Sequence, residues 1–111
     1  MTNKSATYLP DVNELPETLT IRFSQPLTSL SGKESWEEIQ LREPLFHEVS
    51  GFYKESEKSN PHDAMAWLMA KISEANQVAL SKMPIRKFRE GQAYLLAFLN
   101  WFPASEFGKT K

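Results

Sequence analysis

The sequence predicts an α+β fold, an N-terminal β-hairpin followed by three α-helices and mainly helical overall. Two early stretches alternate apolar and polar residues with a period of two, at Leu19/Ile21/Phe23 and again at Ile39/Leu41. Beyond Pro44 the apolar residues recur at helical spacing instead, with prolines and capping side chains marking where helices start.

Residues 1–17 carry two prolines, scattered acids and isolated apolar side chains, which predicts a flexible N-terminal arm. The first strand follows in "TLTIRFSQ", where Thr20, Arg22 and Ser24 interleave with the apolar set. "PLTSLSGK" supplies Pro26 and Gly32 as turn residues, and "EEIQL" places Ile39 and Leu41 on one face of a second strand. The pair reads as an antiparallel hairpin with a loop longer than the tightest kind. A lone two-stranded ribbon is marginal in water, so the helices must cover its apolar face.

The first predicted helix opens at Pro44 and presents Leu45, Val49 and Phe52 on one side. Gly51 within it costs about 1 kcal/mol relative to alanine, so this helix depends on packing. The second is announced by "SNPHD": Asn60 caps, Pro61 suits the first helical position and Asp63 complements the positive end of the dipole. Met65, Leu68, Met69, Ile72, Asn76 and Ala79 form its stripe. Ser81 and Pro84 mark the entry to the third, along which Ile85, Phe88, Gln92, Leu95, Leu96, Leu99 and Phe102 recur until Pro103. Residues 18–102 therefore make one domain, and residues 103–111 a flexible C-terminal tail.

Composition narrows the function. The chain of 111 residues is 41% hydrophobic and 12% aromatic, enough for one modest core. Thirteen Lys and Arg stand against 14 Asp and Glu, so bulk charge does not direct it to nucleic acid or a membrane. No cysteine is present, which removes disulfides, thiolate metal sites and cysteine nucleophiles. With no signal-like N-terminus and no apolar run of about eighteen residues, the expectation is a soluble cytoplasmic protein.

No constellation proposes catalysis, a metal or a cofactor. His47-Glu48 and His62-Asp63 are adjacent pairs, and adjacent helical residues point about 100° apart, so neither forms a two-ligand clamp. They read as solvent-facing or cap-adjacent residues. The four glycines stand far apart, which removes the phosphate-loop fingerprints, and no serine sits in a strand-turn-helix elbow.

Two features point to binding. Tyr94, Phe98 and Trp101 form a second apolar stripe on the third helix, roughly opposite Ile85, Phe88, Leu95 and Leu99, and Trp67 likewise points away from the stripe of the second helix. A surface helix needs only one apolar side, so these aromatics are wrapped on two sides by the core, are individually exposed, or form a partner or self-association surface. Lys82, Arg86, Lys87 and Arg89 cluster at the start of the third helix, against its dipole; they read as a solvated face or a surface for an acidic protein partner, with a small nucleic-acid-binding regulator as the alternative.

The order of these features, with the second strand leading into "LREP" and the helices finishing on "FREGQAYLLAFLNWF", resembles the tail assembly chaperone family of contractile-tailed phages and prophages. That family carries L-x-L-R-E-P at this junction. The present chain has Ile39-Gln40-Leu41-Arg42-Glu43-Pro44, and the resemblance spans residues 18–102. It departs from shorter members by its extended arm and the linker "KESEKSN". The resemblance implies a non-enzymatic protein of the bacterial host cytoplasm, encoded before the tape measure protein and absent from the finished virion. It implies binding to the tape measure protein and help in assembling tail tube protein around it, with a longer product made by ribosomal frameshifting. Reversible contacts of that kind suit exposed aromatics and four methionines able to repack. Within this reading "LREP" is a joint, where Arg42 pairs with a nearby carboxylate for at most about 1 kcal/mol at the surface.

Overall fold

A computed structural model describes residues 11–103 of the chain. Strands β1 (Thr18–Thr28) and β2 (Ser35–Arg42) form a two-stranded antiparallel sheet in which Leu19 faces Leu41 and Ile21 faces Ile39. The alternation read from the sequence sends Ile21, Phe23, Ile39 and Leu41 into the core. On the opposite face the paired residues Arg22 and Glu38 meet as an exposed ion pair at 3.5 Å.

The first strand runs further than expected, through Pro26 to Thr28. Its register slips between Arg22, opposite Glu38, and Leu27, opposite Trp36, so residues 23–26 bulge against Glu37 alone. That irregularity is what admits a proline inside a strand, because no ladder bond is needed there. The reversal itself occupies residues 29–34: Ser29 accepts on its hydroxyl from the Glu34 N–H, Gly32 donates to the Ser29 carbonyl, and Gly32 holds φ +76°.

Four helices follow rather than three: α1 (Phe46–Lys58), α2 (Pro61–Ser73), α3 (Gln77–Leu80) and α4 (Ile85–Leu99). The expected long second helix breaks at Glu74, which sits in the left-handed region at φ 63°, while Ser73 bonds back to the Met69 carbonyl. Asn76, read from spacing as part of an apolar stripe, instead accepts from the Ala79 N–H and caps α3. The Asn60-Pro61 start of α2 is as expected, with Asn60 accepting from the Asp63 N–H at 2.9 Å.

Helix α1 begins two residues later than Pro44, and Leu45 and Phe46 face solvent rather than the core. Helix α4 ends at Leu99, short of Phe102. Its buried face is centred on Gly91, Tyr94 and Leu95, whereas Ile85, assigned to the core by spacing, is 58% exposed.

The largest fully buried side chains, Ile21, Leu41, Met65, Leu68, Met69 and Leu95, bring the sheet, α2 and α4 into one core. α2 is its centre, packed on β2 on one side and α1 on the other, while α4 lies along β1. Two glycines make the close approaches. A Cβ at Gly91 would come within about 3 Å of Met69, Leu41 and Ile21, and one at Gly51 would run into the Trp67 ring. Of the expected mobile arm, residues 1–10 lie outside the described residues. Residues 12–14 form a 3-10 turn capped by Asp11, and Leu15 packs on the core. The expected tail likewise lies outside them, except Pro103.

Candidate functional site

The "LREP" corner is organised by one carboxylate. Leu41 anchors it in the core, and Arg42 leaves β2 with its guanidinium bonded to both Glu48 oxygens, each at 2.9 Å, and to the Glu43 carbonyl at 3.1 Å. Glu48 is 6% exposed and also accepts from the Leu45 N–H at 2.8 Å. This is one half of a capping box, since leucine has no oxygen to return the bond. The Arg42 hydrogen bonds hold the Glu48 carboxyl below its ordinary range, although burial opposes them, and the Leu45 N–H adds to the lowering. The same bonds raise the Arg42 pKa. Removing one partner therefore costs more than breaking the surface contact expected from sequence, because the Glu48 carboxylate left behind is buried.

Around this corner lie two clefts. One, of about 350 Å³, is lined by the chain before β1 (Val12, Leu15, Pro16, Glu17), by Thr18, Arg42 and Glu43, and by Phe98 near the end of α4. A neighbouring cleft of about 230 Å³ shares Val12, Glu43 and Phe98 and adds Asn13 and Trp101. Trp101 is 54% exposed and Phe102 77%. Two residues beyond Glu43 the chain also exposes Leu45 (52%) and Phe46 (87%).

The four aromatics singled out by spacing take different places. Tyr94 is 4% exposed and belongs to the core: its hydroxyl lies within hydrogen-bond distance of the Pro16 carbonyl at 2.8 Å and the Glu17 carbonyl at 3.0 Å, tying the chain before β1 to α4. Burial, with Glu43 and Glu17 adding, pushes its phenol pKa up. Phe98 is half-buried, edge-on to Tyr94 with ring centroids 5.2 Å apart, and opens into both clefts. Trp101 stands out beyond the helix.

Trp67 sits apart. It lies half-buried in the groove between α1 and α2, over Gly51, with the Lys71 ammonium 5.6 Å from its ring centroid. That groove, about 410 Å³, is lined by His47, Glu48, Gly51, Trp67 and Lys71. Arg42 lines the Phe98 cleft and Glu48 the Trp67 groove, so their ion pair forms the wall between the two. Leu45 and Phe46 were missed by sequence reasoning because Leu45 was assigned to the buried stripe. Their signal was their place at the very start of α1, where Glu48 rather than an apolar side chain turns inward.

Other candidates lie elsewhere. Lys82, Arg86 and Arg89 are exposed and Lys87 partly so; Lys82 donates to the Thr28 carbonyl at 3.3 Å, and none of the four joins an ion pair among the described residues. His47 and His62 are both exposed on separate helices, His62 stacked loosely on Phe88 at 6.3 Å. Among the described residues no three His, Asp or Glu side chains group to hold a metal ion, and no helix is long and apolar enough to cross a membrane. Met65, Met69 and Met83 are buried in the core, so they do not form the adaptable surface that their number suggested; Met1 lies outside the described residues.

No curated protein and no solved structure matches the chain. A family model does: that of phage tail assembly chaperone proteins, E, or 41 or 14, matches residues 20–100. The match begins in β1, takes in the Arg42 corner and ends just beyond α4, so it covers the whole hairpin-and-helices unit. The chain belongs to the phage tail assembly chaperone family.

Proposed function

We propose that this protein is a non-enzymatic chaperone that binds the tape measure protein in the bacterial host cytoplasm, promotes assembly of the tail tube protein around it and leaves before the virion is complete. The observation that carries this reading is the apolar surface left uncovered at one end of the fold: Trp101 and Phe102 beyond α4, beside the cleft holding Phe98, with Leu45 and Phe46 following the same corner. Large exposed aromatics around a preformed cleft suit an apolar helical client, which would otherwise aggregate. Trp67 in the adjoining groove extends the surface across the Arg42 and Glu48 wall. Tyr94 acts behind it, fixing the chain before β1 against α4 so that Val12 and Phe98 share a cleft.

The experiment is coprecipitation with the tape measure protein and the tail tube protein encoded nearby. Wild type is expected to capture the tape measure protein and keep it soluble. Trp101→Ala is expected to lose that capture while circular dichroism stays unchanged. A tape measure protein that stays soluble alone and does not coprecipitate would remove the reading.

A further inference from the structure

The largest cleft described, about 510 Å³, lies at the other end of β1 and of α4. The 15 residues of α4 put about 20 Å between it and the Phe98 surface. Its floor is the bulge of β1, from Phe23 to Thr28, and its wall is Lys82 and Pro84. Within that floor, residues 23–26 are the part of the strand with no matched partners on β2. These residues have no matched partner in the β1–β2 register, and an extended chain beside them can use the backbone groups on the outer edge of the strand.

Three further facts describe what would fit. Among the described residues the sheet has two strands, so β1 has no further strand on its other edge there. Ile85, next to the wall, is 58% exposed although helical spacing assigned it to the core, leaving an apolar side chain beside the cleft. The charges of this end are cationic: Lys82, Arg86, Lys87 and Arg89 have no ion-pair partner among the described residues, and Glu90 is the sole carboxylate on α4. Placing unpaired cations on the first turns of a helix works against its dipole, a cost that an anionic partner offsets.

We propose that this cleft docks an acidic, extended peptide segment of a partner protein, its backbone alongside residues 23–26, an apolar side chain against Pro84 and Ile85, and its carboxylates toward Lys82, Arg86 and Arg89. A strand-forming peptide uses the outer edge of the strand, the exposed Pro84 and Ile85 and the cations together. Nucleic acid would use only the cations, on a chain whose net charge is −1. The docking site is independent of the tape measure reading, because it shares no residue with the Phe98 and Trp101 surface.

The test titrates three fluorescein-labelled probes into the full chain and follows anisotropy at low and at physiological salt: a peptide alternating glutamate with valine, its lysine-valine counterpart, and a dT oligonucleotide of matching length. The glutamate peptide is expected to bind, more weakly as salt rises, and to shift the backbone amide resonances of Ser24 and Gln25. Arg86→Glu, at an exposed position with no ion-pair partner among the described residues, is expected to weaken it about tenfold without lowering the melting temperature, since a carboxylate suits the start of the helix. Lys82→Glu is the second variant, read against its own melting temperature because Lys82 also holds the Thr28 carbonyl. Equal binding of the lysine peptide, tighter binding of the oligonucleotide, shifts gathered at Phe98 and Trp101, or no binding at low salt would each overturn the proposal.

Discussion

Replacing Arg42 with leucine isolates the corner on which the aromatic surface is built. The substitution keeps an apolar stem at this position, removes the guanidinium, and leaves Glu48, 6% exposed, with the Leu45 N–H as its one remaining donor in place of three. Stripping one partner from a fully buried ion pair costs about 3–5 kcal/mol. Here the Arg42 side chain is 41% exposed, so water reaches the pair and the cost falls to about 2 kcal/mol. For a domain of this size that is about 8 °C in melting temperature. Acid supplies a second readout. Glu48 is held below its ordinary pKa in the fold, so its stabilisation is fully present above the unfolded value of about 4.3 and is lost as pH falls through the lower folded value. Thermal unfolding followed by circular dichroism should therefore show a wide gap between wild type and Arg42→Leu at neutral pH, closing in acid below about pH 4. A gap under about 0.5 kcal/mol at neutral pH, or one that persists unchanged in acid, would refute the assignment of the corner to this pair.

Gly51→Ala should destabilise by about 1–2 kcal/mol despite its better helix propensity, because the new Cβ meets the Trp67 ring; tryptophan fluorescence and urea unfolding report both effects. Gly91→Ala should be milder, since its contacts are the ends of the Met69, Leu41 and Ile21 side chains, and urea midpoints rank the two. Glu74→Gly should stabilise by about 0.5–1 kcal/mol by relieving a left-handed residue, as read from the melting temperature. Tyr94→Phe should cost about 1 kcal/mol and raise amide exchange at Leu15, Glu17 and Thr18, where its hydroxyl holds the chain.

The hairpin was legible because both strands have one buried and one wet face, so Ile21 and Leu41 stand out against Arg22 and Gln40. The start of α2 was legible because Asn60 and Pro61 act locally. The break at Glu74 was not, since a charged residue in the left-handed region is fixed by the Ser73 and Asn76 caps around it rather than by its own preference. The buried face of α4 was misread because its centre is Gly91, a residue with no hydrophobic signal whose role is to let Met69, Leu41 and Ile21 come close.

The candidate surface was half legible. Trp101 and Phe98 were found from helical periodicity, but the same periodicity placed Tyr94 with them, and the structure buries it under the chain before β1. Leu45 and Phe46 lie about fifty residues away in sequence; β2 delivers Arg42 and Glu43 to the cleft that Phe98 lines, a tertiary fact, and the two exposed side chains follow shortly after them in the chain. The letters "LREP" thus shape the scaffold and also border the surface it presents.

The most direct measurement of the central claim is the affinity of the purified chain for the tape measure protein, wild type against Trp101→Ala, with melting temperatures taken alongside. The surface described here predicts binding at least about 30-fold weaker for the variant, the loss of an aromatic anchor worth about 2 kcal/mol or more, with an unchanged melting temperature. Equal affinity in the two proteins would contradict it.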